Sequence, residues 1–197
     1  FSVDLPTGST DDVGKLGDAL RGLGHALEQR FDEMRALTRV TEKINAGFLL
    51  DDVLDHVYEA FRPVLPYDRI GFALLETDGR GQAILRAHWA KSDYEEVKIY
   101  RGYSAVLAGS SLEAILESKR PRIINDLVEY LEEHPDSISS RHMIEEGIRS
   151  NLTCPLVALN KPIGFMFFSS RHTGTYRNAH VGIFLEIAGQ LSTIVEK

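Results

Sequence analysis

The sequence predicts an α+β fold: a central antiparallel sheet of about six strands, with terminal helices on one face and an irregular, pocket-forming excursion on the other. Residues 151–159 and 162–168 are apolar strand segments, and Asn160-Lys161 reads as the tight turn between them. Residues 69–75 and 83–89 repeat the pattern around the turn Thr77-Asp78-Gly79-Arg80. Phe165 and Phe167 alternate with Met166 and Phe168, so that strand is apolar on both faces and needs a layer on each side.

Along the chain, residues 1–11 read as a disordered leader. Residues 12–48 form an N-terminal helix, and residues 49–197 the domain itself. From Val13 a seam of alternating three- and four-residue steps runs through Leu16, Leu20, Leu23, Leu27, Arg30, Met34, Leu37, Thr41, Ile44 and Phe48. A seam of that period is buried by pairing helices. Gly14, Gly17, Gly22 and Gly24 each cost about 1 kcal/mol relative to alanine, so the helix is expected mainly over residues 25–46, ended by Gly47.

A second amphipathic helix spans residues 50–62, with Val53, Leu54, Val57, Tyr58 and Phe61 inward, and Pro63 and Pro66 beyond it. Residues 91–111 show no period but hold Tyr94, Tyr100 and Tyr103. Ser110-Ser111-Leu112-Glu113 reads as a capping box opening a helix to about Ser118. Residues 122–126 are extended. A charged, loop-like stretch follows to Gly147, with a short helix over 140–146. The last helix, residues 178–197, carries Val181, Phe184, Leu185, Ala188, Leu191 and Val195 on one stripe and Ile183, Ile187 and Ile194 on another.

At 197 residues and 43% hydrophobic composition, the chain supports one domain with a helical extension. A net charge of −7 argues against nucleic acid and against acidic membrane surfaces. No apolar run approaches a membrane span, and the start lacks the basic region of a signal peptide, so a cytoplasmic setting is expected. Phe1 in place of Met reads as a piece of something longer. One cysteine excludes an internal disulfide and a multi-cysteine metal site. Cys154 alternates with Leu152 and Leu156 on one strand face, which is the geometry of an inert core thiol.

No two histidines have metal-ligand spacing on a helix. His88, beside Trp89, is the one position where a haem ligand is conceivable. The pairs Glu95-Glu96, Glu132-Glu133 and Glu145-Glu146 read as solvated surface, and no phosphate loop, nucleophile elbow or HExxH is present. No catalytic residue is therefore assigned. Candidate ligand contacts lie in the middle of the chain: Trp89, Tyr94 and Tyr103 as aromatic walls, and Arg122, Asn125, Asp126 and Arg149 as polar groups. Candidate dimer contacts are Leu27, Met34, Leu37, Ile44, Ile187 and Ile194.

Two stretches resemble the GAF domain family. Pro121-Arg122-Ile123-Ile124-Asn125-Asp126 is similar to the strand before the pocket's second helix. Residues 146–156 with Lys161-Pro162-Ile163-Gly164-Phe165 are similar to the family's final hairpin. The resemblance covers about residues 35–197. It implies a sensory, regulatory domain with a small-molecule pocket on one face of a six-stranded sheet. It further implies dimeric helices on the other face, relaying to an output domain such as a kinase or cyclase. The alternative is a dimerisation scaffold of the same fold with no physiological ligand. Ser169-Ser170-Arg171 stands where cyclic-nucleotide-binding members carry their signature, and Cys154 has no adjacent histidine as bilin-binding members do. Both cofactors are therefore not expected, and neither is the multi-cysteine chemistry of the sulfoxide-reducing branch.

Overall fold

The computed structural model describes residues 12–45 and 50–195. The expected leader at 1–11, the helix stop at Gly47 and the side chains of Ile44 and Phe48 lie outside the described residues. Helix α1 spans Asp12–Asn45 and α2 spans Leu50–Phe61. Strands β1 (Arg69–Thr77), β2 (Ala83–Ser92) and β3 (Ser104–Val106) follow. Then come α3 (Glu113–Ser118), β4 (Arg122–Ile124), α4 (Leu127–Glu133) and α5 (Ile138–Glu145). Strands β5 (Ser150–Ala158) and β6 (Lys161–Ser170) and helix α6 (Asn178–Val195) close the domain. The six strands form one sheet in the order β3-β2-β1-β6-β5-β4, antiparallel at every pairing.

Alternation along the central strands divides the protein into layers. Ile70 and Phe72 of β1, Leu152, Cys154 and Leu156 of β5, and Met166 and Phe168 of β6 face α2 and α6 in the main core. Ala73, Leu85 and Phe165 face the other way, against Leu107 and Ile115 of the excursion. The expected two-layer arrangement around the sheet is therefore present. Strands β1 and β6 approach so closely that a Cβ on Gly164 would collide with the Ala73 carbonyl. Only glycine fits there.

Several elements differ from the sequence reading. The hairpin turn is Leu159-Asn160, one residue earlier than expected, because both central residues of this turn need positive φ; they have 45° and 63°. Helix α1 continues through all four glycines, which weaken the helical ladder without breaking it. The stretch after Asp126 is helical: the Asp126 side chain accepts from the backbone N–H groups of Val128 and Glu129 and caps α4. The expected capping box does not form. Helix α3 starts at Glu113, whose carboxylate accepts from the Gly109 N–H, while the Glu113 N–H bonds the Ser110 carbonyl rather than its hydroxyl. On α6 the buried face is Ile183, Phe184, Ile187, Ala188 and Leu191, which merges the two stripes, and Leu185 points outward. Ile187 is fully buried in the chain's own core, so its side chain has no surface to offer a partner.

Candidate functional site

A cavity of about 860 Å³ lies between the sheet and the excursion, within the size range of small-molecule sites. Strand order gives it two sides. Gly71 and Ala73 of β1, Leu85 and Ala87 of β2 and Phe167 of β6 make an apolar floor. Across the sheet, Asn151 and Thr153 of β5 and Arg122 of β4 make a polar one. Residues 103–112, Tyr130 and residues 133–140 supply the roof, and Ile99 and Met143 also line the cavity.

The polar side is ordered by short hydrogen bonds. Thr153 Oγ1 donates to Asn151 Oδ1 at 2.9 Å, and Asn151 Nδ2 donates to Ser169 Oγ at 2.9 Å. The Tyr130 hydroxyl donates to Ser111 Oγ at 2.7 Å. Arg122 donates one bond, 3.3 Å, to the Ser111 carbonyl, and its guanidinium lies over the Tyr130 ring at 5.5 Å. No carboxylate pairs with it among the described residues, and its Nε is buried without a hydrogen bond, as is the Ser110 hydroxyl. Burial pulls the Arg122 pKa below its ordinary value, and Tyr130 opposes that shift.

One wall is fastened by a buried carboxylate. Glu146 accepts from the N–H groups of Lys98 and Ile99 at 2.6 and 2.8 Å, and from the Tyr94 hydroxyl at 2.8 Å. Its second oxygen lies 3.5 Å from Arg69 Nε, with both side chains almost wholly inaccessible. Arg69 in turn donates to the Ile99 carbonyl at 2.6 Å. The expectation that Glu145-Glu146 is a solvated pair is corrected: the turn at Gly147, with φ of 86°, carries Glu146 inward. Burial, then the bond to Glu146, raises the Tyr94 pKa.

Of the seven expected contacts, Trp89, Tyr103 and Arg122 border the cavity. Trp89 does so from the helix-side core, where it packs. Tyr103 reaches the roof, its hydroxyl 3.2 Å from Ser139 Oγ. The other four do structural work away from the cavity. Tyr94 serves the Glu146 latch, and Asp126 caps α4. Asn125 bonds the Tyr176 carbonyl and N–H, at 3.0 and 3.1 Å, and Arg149 holds the carbonyls of Ile144 and Ile148. The reading missed Arg69, Ser110, Ser111, Tyr130 and Thr153. For Thr153 a signal existed: it alternates with Leu152 and Cys154, so its face is the one opposite the helix core.

His88 sits at a β-bulge between Phe72 and Ala73 of the partner strand, and its Nε2 is 2.7 Å from Glu76 Oε1. That nitrogen is engaged outside the cavity, so His88 is not placed to ligate a haem there. Among the described residues no group of three or more His, Cys, Asp or Glu could hold a metal. No helix among them is long and apolar enough to cross a membrane. Burial pushes the Cys154 thiol up to about 12, as suits a core residue.

The family model described as GAF domain matches residues 49–196. No curated protein matches the chain. Among solved structures, the phycocyanobilin-bound GAF domain of a cyanobacterial phytochrome superposes with a TM-score of 0.65 at 15% identity, covering 83% of this chain and 93% of that one. The GAF domain of a phosphoenolpyruvate-protein phosphotransferase from Coxiella burnetii gives 0.62 at 16% identity, with 84% and 94% covered. That of a two-component sensor histidine kinase from Bacillus halodurans gives 0.61 at 15% identity, with 75% and 94% covered. At these identities the likeness is one of fold.

Proposed function

The chain belongs to the GAF domain family, and from that premise we propose that it is a dimeric, cytoplasmic sensor domain. It binds a small molecule in the cavity and relays occupancy to an output domain through its terminal helices. The observation that carries this reading is the cavity itself: about 860 Å³, with an apolar floor and a few placed polar groups. The sheet between cavity and helices is one layer thick. Thr153 faces the cavity, while its neighbours Leu152 and Cys154 pack in the core beneath α6. A ligand that shifts β5 against its neighbours therefore acts on α6 directly. Ala36 and Val40 of α1 lie in that same core. Relay requires that the ligand favour one arrangement of these helices over another.

Native mass spectrometry after exposure to a metabolite extract tests the reading, together with amide exchange over residues 93–111. A reproducible added mass with slowed exchange in that segment is the expected result. Bare chains and unchanged exchange with every fraction would favour a dimerisation scaffold without a ligand.

A further inference from the structure

The chemistry of the cavity narrows the class of ligand, given the reading that the cavity binds one. Its polar side holds a cation that no carboxylate pairs among the described residues and whose Nε is unpartnered. Among the described residues, Arg122 has one 3.3 Å bond to a carbonyl and the face of Tyr130. A guanidinium withdrawn from water gains most from a planar, two-oxygen anion. Ser110, next in the chain to Ser111, lines the same cavity with an unpartnered hydroxyl.

Charge limits the anion. The second arginine at the cavity, Arg69, is already neutralised by Glu146. Glu133 and Asp136, both exposed, add carboxylates to the roof. A single arginine without a carboxylate partner, in a cavity that Glu133 and Asp136 also line, disfavours di- and polyanions such as nucleotides or sugar phosphates. Strand spacing limits the length. Phe167 on β6 is two strands from Arg122 on β4, about 10 Å.

We propose that the ligand is a small organic monocarboxylate with an apolar arylalkyl or medium-chain body. Its carboxylate sits on Arg122 and accepts from the Ser110 hydroxyl. Its body lies over Phe167, toward Gly71 of the adjoining strand β1. Isothermal titration calorimetry with phenylacetate, indole-3-acetate and octanoate, each against its primary amide, tests the assignment at millimolar concentration. At least one acid binds, and its amide binds at least about tenfold more weakly, since the charge-assisted pair is lost. Arg122→Met removes the preference for acid over amide. Arg122→Lys keeps a weakened preference, because the charge remains and the fork does not. Ser110→Ala weakens acid binding with no change in melting temperature, which guards against a mere folding defect in the arginine variants. Equal binding of acid and amide by the parent chain, or an acid preference that survives Arg122→Met, overturns the assignment while leaving the cavity a ligand site. No binding by any of the six probes overturns the class as well. The metabolite mass search then judges the sensor reading independently.

Discussion

Glu146 is a single residue on which a whole wall of the cavity depends. Its carboxylate receives two backbone N–H groups and a tyrosine hydroxyl, and faces Arg69 with the two side chains only 0% and 3% exposed. Removing one partner of such a pair leaves the other charge buried and uncompensated, at a cost of about 3–5 kcal/mol. Glu146→Ala is expected to lower the unfolding free energy in urea by that order, and Glu146→Gln by less, because the amide oxygen still accepts from Lys98 and Ile99. Amide exchange should quicken first over residues 93–100. A Glu146→Ala chain as stable as the parent would show the latch to be dispensable. The residue was not legible in the sequence. Glu145-Glu146 looks like any charged pair, and only the turn at Gly147 decides which carboxylate goes inward. Cys154 was legible, because strand alternation alone puts it with Leu152 and Leu156.

At the scale of elements, the strongly periodic pieces followed from the sequence: β1, β2, β5, β6 and the helices α2 and α6. The short pieces did not. Strand β3 is three residues on a sheet edge, and α4 depends on a cap, Asp126, whose sequence context also fits an ordinary turn. The cavity roof is made of such pieces, which is why most of its polar residues escaped the reading while its location did not. The β5–β6 hairpin shows the same limit. Asn160 accepts positive φ readily, but Leu159 adopts φ of 45° with 81% of its surface exposed. A left-handed conformation at a non-glycine residue costs roughly 1–2 kcal/mol, and asparagine tolerates it best. Leu159→Asn should therefore raise stability by about 1 kcal/mol, seen as a higher urea midpoint with an unchanged slope. A lower midpoint would mean that the Leu159 side chain contributes contacts its exposure does not suggest.

For the whole molecule, the open question is what covers α1. Ala36 and Val40 pack into the core, and Leu37 leans on it, so the C-terminal part of the helix belongs to the domain. Leu16, Leu20, Leu23, Leu27, Phe31 and Met34 are all exposed, at 46–60%. Their steps are four, three, four, four and three, so Phe31 takes the place that a strict heptad gives to Arg30. Leu27 and Met34 remain seven residues apart, so the three- and four-residue steps exchange order there and the heptad spacing is kept on either side. Six large apolar side chains on one stripe of a helix whose other face is charged are best buried by the same stripe of a second copy. Leu27 and Met34 belong to that stripe, whereas Leu37 is divided between stripe and core. The two roles separate experimentally. Leu27→Asp combined with Phe31→Asp should convert a dimer to a monomer in sedimentation velocity with the melting profile of the globular part retained, because neither side chain lies in the core. Leu37→Asp should instead lower the melting temperature, since it places a charge against Leu37's own packing. A dimer that survives the double substitution would remove the α1 stripe as the interface. Relay from the cavity would then have to run through α6 alone.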